Sequence, residues 1–428
     1  MNKKNLIFLQ LNEINFNLVK LYLDEIKLDA FQEITKTYTE TTSEDKYELL
    51  EPWIQWTSIN TGLSANEHNI FRLSDIQKFK KDQIYEKIES LGYSVGAVSP
   101  MNTLNNLAKP AFFIPDPWTQ TKNDDSFWSK LISKVLSKEV NSNANKNVDI
   151  NSLITLAIIV IRFARPKNYL KYISLFLKSI KKKWFRAIFL DLLLSDIFLS
   201  LLQNKQPNFA SLFLNGGAHI QHHYLANSKY SKKTIKNNPS WLISQNDDPF
   251  RDMIKVYDQI ISDVMDHDKY DLLIATGLTQ VPNERNEFYY RLKDHDKFLK
   301  LIGIKYLNIV PLMSRDFIVN FLNENEANEA FNILKSLEVD KEKLLFDQID
   351  NRGKSLFITL TFPDEINNAT ILKTKDKEIR LKEHVSFVAI KNGKHSGTGF
   401  LYSKNNKHFL KNNNNITNIY AGILNYFK

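Results

Sequence analysis

Residues 6–15, Leu6-Ile-Phe-Leu-Gln-Leu-Asn-Glu-Ile-Asn15, are an apolar run broken only by Gln10, followed by a polar exit through Asn12, Glu13 and Asn15. A short apolar run without alternation marks a strand covered on both faces, the kind found in parallel sheets packed between helices. Open α/β sheets hold their ligands just beyond the ends of such strands, which makes Asn12 and Glu13 the first candidate site residues. Three further stretches repeat the form, VGAVSP (95–100), ASLFLN (210–215) and DLLIATG (271–277). Helical spacing separates them, over 82–91 and over 251–265, where Met253, Val256, Tyr257, Ile260, Ile261 and Val264 fall on one side. Strands alternating with helices predict an α/β fold, a central and mostly parallel sheet with helices on both faces.

Between 126 and 206 the pattern changes to long Leu/Ile/Phe-rich helical stretches, such as YLKYISLFLKSIKKKWFRAIFLDLLLSDIFLSLL (169–202), with no strand signal. The expected organisation is therefore an N-terminal part of the core at 1–125, a helical insertion or cap at 126–206, and a C-terminal part of the core at 207–428. In that last part, 355–362, 385–393 and 399–403 read as strands and 416–427 as a final helix. Lys178, Lys181, Lys182, Lys183 and Arg186 cluster among aromatics in the insertion. Such a cluster either makes peripheral contact with anionic lipid or a polyanionic substrate, or is a solvated helix face on a basic protein. The most apolar tract, Ile154 to Phe163, is about half the roughly 20 residues that span a bilayer, so an integral membrane protein is not expected.

The chain of 428 residues carries 57 Lys plus Arg against 48 Asp plus Glu, a formal charge of 57 − 48 = +9, with 43% hydrophobic residues. That balance is globular. Its basic residues are dispersed and match no nucleic-acid motif, so no nucleic-acid partner is expected. With no cysteine, disulfides, thiolate metal sites, Cys nucleophiles and iron–sulfur clusters are excluded, and a reducing, cytoplasmic setting is the expectation. The start MNKKNLIFLQLNEINF has basic residues but a short apolar run and no small-residue cleavage site, and reads as a first strand.

Four constellations carry candidate chemistry. Glu51-Pro-Trp-Ile-Gln-Trp-Thr-Ser58 leads by a Pro turn into Thr61-Gly62. It offers Glu51, Gln55, Trp56, Thr57 and Ser58 at a helix start, where anions bind, although an ordinary cap has the same look. Trp53 and Trp56 stack on a sugar or base, or fill core. Asn215-Gly-Gly-Ala-His219-Ile-Gln-His222-His223-Tyr224 follows a buried strand, and on a helix His219 and His223 stand four apart and can share a metal ion. Gly393-Lys-His395-Ser-Gly-Thr-Gly399 presents a histidine in a flexible turn, and Ala275-Thr-Gly-Leu-Thr279-Gln280 is a strand exit whose Thr279 and Gln280 suit a ligand or simply a turn. Arg315 after Ile309–Leu312 suits an anionic substrate group, or pairs with neighbouring Asp316.

In this order the pieces resemble the alkaline phosphatase superfamily, in its phosphodiesterase, phosphomutase and sulfatase branches. Asn12-Glu13 stands where the family has an acidic metal ligand after its first strand. Thr61-Gly-Leu-Ser-Ala-Asn-Glu-His68-Asn-Ile70 is similar to the segment that follows the family's nucleophile, Asn215-x-x-x-His219 is similar to its Asp-x-x-x-His, and His395 matches its last histidine. The resemblance spans roughly 6–100, 208–285 and 385–403. Two features depart from it: Pro52 stands nine residues before Thr61, where the nucleophile belongs, and Gly277-Leu278 replaces an Asp-His pair.

The resemblance implies a three-layer sandwich and a diverged hydrolase or transferase acting on a phosphate- or sulfate-bearing glycan, lipid or nucleotide. At most one divalent metal, zinc or manganese, is expected, with Asn215, His219, His223 and His395 as the donors, and with weak zinc affinity at Asn215, His219 and His395 unless Glu13, His222 or His223 contributes. Glu13, Glu51, Thr57 and His219 are the expected catalytic groups, Glu13 or Glu51 serving as general base or unconventional nucleophile. Asn12, Gln55, Trp56, Ser58, His222, Thr279, Gln280 and Arg315 are the expected substrate contacts. The alternative is a non-catalytic protein that uses the same cleft for a phosphorylated ligand or a protein partner.

Overall fold

The structure is a computed structural model that describes residues 4–44, 46–142, 150–231, 237–312, 315–339, 343–374, 377–404 and 414–428. Its contacts divide the chain into two compact units, 1–282 with 393–428, and 283–392. The division falls inside the segment 207–428 that the sequence presents as one continuing part of the core.

The first unit is built on an eight-stranded sheet. Strands β1 (Leu6–Leu11), β2 (Thr39–Thr42), β3 (Val95–Val98), β4 (Phe112–Ile114), β5 (Phe209–Leu214) and β6 (Asp271–Ala275) are joined in it by Thr398–Ser403 and Asn414–Asn415. The spatial order is Asn414–Asn415, β2, Thr398–Ser403, β6, β1, β5, β3, β4. From β6 to β4 all neighbours are parallel, whereas Thr398–Ser403 runs antiparallel to both β6 and β2. β1 lies inside the parallel part of the sheet with β5 on one side and β6 on the other, and the carboxyl ends of such strands are where open α/β sheets hold ligands.

Strand β1 is buried on both faces, and its alternation sorts the core. Ile7, Leu9 and Leu11 pack with one set of helices, α2 (Asp29–Thr37), α9 (Trp184–Lys205) and α11 (Pro249–Met265), through Phe31, Leu192 and Tyr257. Leu6 and Phe8 pack on the other side with α3 (Pro52–Thr61), α5 (Ile84–Ser90) and Thr417–Phe427, through Trp56, Ile88 and Ile423. Burial of each such side chain contributes about 1.5–3 kcal/mol, which is why a six-residue strand holds the centre of three layers.

The 126–206 stretch forms α6 (Phe127–Ser142), α7 (Ile150–Phe163), α8 (Tyr169–Lys181) and α9, with no strand among its described residues. The last of these belongs to the core, since it packs directly on β3 and β5. The second unit holds two four-stranded antiparallel sheets, one built on Asp316–Asn320 and Ser355–Thr359, the other on Glu338–Val339 and Ile371–Lys373, with helices His295–Leu301 and Glu324–Lys335.

Candidate metal centre

The register of the sheet decides which polar residues meet. Leu11 of β1 pairs with Leu214 of β5, and Gln10 with Ala275 of β6, so the exits Asn12-Glu13, Asn215 and Thr276-Gly277 stand at one edge. Asn12 ties two of them, its Nδ2 donating to Asn215 Oδ1 at 2.7 Å and to Glu13 Oε1 at 3.1 Å. Its own Oδ1 accepts the indole N–H of Trp56 at 2.7 Å. Glu13 adopts φ 62, left-handed backbone that a non-glycine residue holds only when its surroundings enforce it. Two contacts do so: Glu13 N–H donates to Thr276 O at 3.1 Å, and Gln221 Nε2 donates to Glu13 O at 2.8 Å.

The Glu13 carboxylate is buried against two histidines. Its Oε2 lies 3.2 Å from His222 Nε2 and 3.4 Å from His395 Nε2, and the two imidazole nitrogens are 3.3 Å apart. Gln280 Nε2 also donates to Oε2. Burial pushes this carboxyl up, but the charges and hydrogen bonds of His222 and His395 outweigh it and hold Glu13 well below the usual carboxylate range. His222 comes from α10 (Gly216–Tyr224), whose first turn is fixed by Asp191 of α9: its carboxylate accepts Gly216 N–H at 2.8 Å and the Tyr257 hydroxyl. Burial pushes Asp191 up to about 6. His395 arrives on Val385–Ser396, beside Gly393, where a Cβ would meet Gln280 Oε1 at 2.0 Å.

This donor set fits a divalent cation. A tetrahedral zinc with bonds of about 2.0–2.1 Å holds its ligands about 3.3 Å apart. The three separations of 3.2, 3.3 and 3.4 Å match that edge. Hydrogen bonds alone satisfy the triangle less well, because each imidazole Nε2 has at most one proton for two neighbours. Two imidazoles and a carboxylate, with a fourth position left to water or substrate, make up the donor complement of a catalytic zinc.

The histidines of α10 divide between its two faces. Gly217, Ala218, Gln221 and His222 face the crevice, whereas the rings of His219 and His223 pack on each other with centroids 4.8 Å apart and His219 exposed. Of the expected donors Asn215, His219, His223 and His395, only His395 belongs to the group of described residues whose ligand atoms come together, Glu13, His222 and His395. Asn215 instead fastens Asn12. Sequence alone leaves open which histidine faces inward. The small residues Gly217 and Ala218, one turn before Gln221 and His222, are the signal that marks the inner face.

The remaining candidates divide between the centre and the framework. Glu51 caps the start of α3 in position but makes no side-chain capping bond, and its Oε2 lies 3.9 Å from His395 Nδ1. Gln280 and Asn12 hold Glu13, as described. Gln55 Nε2 donates to Leu49 O at 2.7 Å, Thr57 Oγ1 to Trp53 O at 2.7 Å, and Thr279 Oγ1 to Thr398 O at 2.8 Å. Ser58 is buried, its Oγ 3.1 Å from His68 Nε2, and Trp56 is core as well as a donor to Asn12. Arg315, in the second unit, stacks over Tyr289 at 3.9 Å from the ring centroid and reaches Leu360 O at 3.4 Å. Gln221, which the sequence does not single out, supports Glu13 from beneath.

No family model and no curated protein matches the chain. Solved structures do. Phosphonoacetate hydrolase from Sinorhizobium meliloti is 9% identical, with a TM-score of 0.46 over 100% of this chain and 96% of that one. Human ectonucleotide pyrophosphatase/phosphodiesterase 5 is 13% identical, with a TM-score of 0.40 over 99% and 95%. Alkaline phosphatase from the Antarctic bacterium TAB5 is 10% identical, with a TM-score of 0.41 over 100% and 99%.

Proposed function

We propose that Glu13, His222 and His395 hold a single divalent cation, zinc before manganese, and that the crevice above them hydrolyses an ester of phosphoric or sulfuric acid. The observation that carries this is the triangle of donors, each atom 3.2–3.4 Å from the other two. Two imidazoles favour zinc over manganese, which prefers an oxygen-rich shell. The motifs shared with phosphodiesterases and sulfatases support the substrate class, and the absence of cysteine supports a cytoplasmic setting.

Bound there, the cation supplies a Lewis acid that polarises a phosphoryl or sulfuryl oxygen and makes water acidic enough to attack near neutral pH. The chain's own residues do the rest. Asn12 and Gln280 donate to the two Glu13 oxygens and keep the carboxylate from turning. Glu51, the more exposed carboxylate of the pair and the neighbour of His395, takes the proton from attacking water at its Oε2. Pro52 holds the first position of α3, where the resemblance places a hydroxyl nucleophile, so this reading takes direct attack by water as the route.

Elemental mass spectrometry on protein purified without chelator tests the reading. The expected result is about one zinc per chain, lost in His395→Ala, together with hydrolysis of bis(p-nitrophenyl) phosphate or p-nitrophenyl sulfate. A metal-free wild type refutes the centre. Bound metal without turnover on any ester leaves the binding-protein alternative, which the buried Leu278 in place of an Asp-His pair favours.

A further inference from the structure

Helices α7 and α8 are apolar on two sides. Their inner sides, including Ile159, Phe163, Tyr172 and Leu175, join the core cluster that α9 shares. Their outer sides present Ile158 and Ile161 on α7, and Leu170, Ile173, Leu177 and Ile180 on α8, with Ile161 78% and Leu170 82% exposed. On α8 these fall at intervals of three and four residues, which makes a continuous stripe along the helix. Soluble surfaces rarely leave contiguous apolar area of this kind uncovered.

Charge narrows what covers it. Between Ile150 and Leu190 the sequence holds nine Lys and Arg, from Arg162 to Arg186, and no Asp or Glu. Arg165, Lys167 and Lys182 turn inward to Asp196, Asp263 and Asp247. Lys181 and Lys183, at the end of the α8 stripe, are exposed and, among the described residues, have no acidic partner. A second copy would bring like charge against like charge, and a nucleic acid would leave the isoleucines and leucines unburied. An anionic lipid surface satisfies both, because headgroups meet the lysines while acyl chains cover the apolar stripe. Neither helix spans the bilayer: at 14 and 13 residues they are about 20 Å long, against roughly 30 Å of hydrocarbon, and no described helix is long and apolar enough to cross.

We infer that α7 and α8 form an interfacial docking face that holds the protein on an anionic membrane. This stands independently of the metal centre, since none of its residues belongs to it. Flotation of the full chain with vesicles of phosphatidylcholine alone, or mixed with phosphatidylglycerol, tests it. The protein floats with the mixed vesicles only, and salt releases it. Leu170→Glu with Leu177→Glu lowers the bound fraction about tenfold or more, and Lys181→Glu with Lys183→Glu does likewise. All four positions are exposed, and unchanged circular dichroism melting certifies the fold. Failure to float with anionic vesicles, or flotation unchanged by L170E/L177E, overturns the inference. A dimer that the same variants dissociate, without vesicle binding, overturns it in favour of a second copy of the chain.

Discussion

Glu13 and His222, 209 positions apart in the chain, bring a carboxylate oxygen and an imidazole nitrogen to 3.2 Å at the carboxyl edge of the central sheet. The contact exists because β1 and β5 are parallel neighbours that end in register, and because Asp191 anchors the first turn of α10 over that edge. The first expectation follows from this pairing. His222→Ala and His395→Ala each weaken zinc binding by about 100-fold or more, whereas His219→Ala and His223→Ala leave it within a few-fold. Competition titration against a chromogenic chelator reads the difference. Equal losses in all four variants would return the centre to the histidines four apart.

Much of this was legible in the sequence. Buried strands at 6–11, 95–98, 209–214 and 271–275 have the lengths their apolar runs announce, because a strand covered on both faces needs no alternation to be recognised. Glu13 and His395 stand out in the sequence as candidates for a similar reason: each stands at a strand end or strand turn beside glycine or polar neighbours, and the fold brings the two together. The inner face of α10 was not visible, since three histidines in five residues fit either side of a helix until the packing of Gly217 against Ile14 and Tyr257 fixes its rotation. Hydroxyls at Thr57 and Ser58 resembled a ligand shelf, yet within a helix such groups also bond back to the carbonyl one turn earlier, as Thr57 does with Trp53. The second unit was hidden because many of its strands are only two to four residues long and polar, such as Gln348–Asn351 and Glu378–Arg380, and so carry no apolar run of their own.

Gln280 holds Glu13 without being a metal donor, and its removal should show as weakened affinity with the centre retained. Gln280→Ala lowers zinc affinity about 10- to 100-fold while the folded chain persists. Gly393→Ala acts on the same contact from the other side. Its Cβ would sit 2.0 Å from Gln280 Oε1 and 2.8 Å from the backbone oxygen of Gln221. Overpacking there destabilises by about 1–3 kcal/mol and moves the amide off Glu13, so thermal stability and zinc affinity fall together. If Gly393→Ala lowered the melting temperature and left zinc affinity untouched, Gln280 would not be the link.

Glu51 separates catalysis from metal retention. It is paired with His395 at 3.9 Å, too long for a hydrogen bond that fixes the ring but near enough to share its site. Glu51→Gln keeps the zinc and lowers kcat by about 10²- to 10⁴-fold, with little change in KM. Parallel loss of zinc in this variant would make Glu51 a residue that orients His395 instead of one that moves a proton.

His68 gives the fold a pH dependence that the metal centre does not share. Its Nδ1 accepts the Ile70 N–H at 3.0 Å, which leaves the ring proton on Nε2, 3.1 Å from Ser58 Oγ. Burial pushes its pKa down to about 4, against weaker upward pulls from Glu67 and the Ile54 backbone. The unfolded chain titrates His68 near the ordinary 6.5, so between about 6.5 and 4 it binds more protons than the folded one, and stability falls as the pH falls through that window. Above about 6.5 the contribution is fully present and flat, and about 3 kcal/mol is lost by pH 4. His68→Asn, which keeps an acceptor for Ile70 N–H and cannot titrate, removes this slope. Urea unfolding of both chains at matched pH values reads it as a difference between them, so other titrating groups cancel. A wild type and variant whose stabilities run parallel from pH 7 to pH 4 would mean that His68 is protonated in the folded state without penalty.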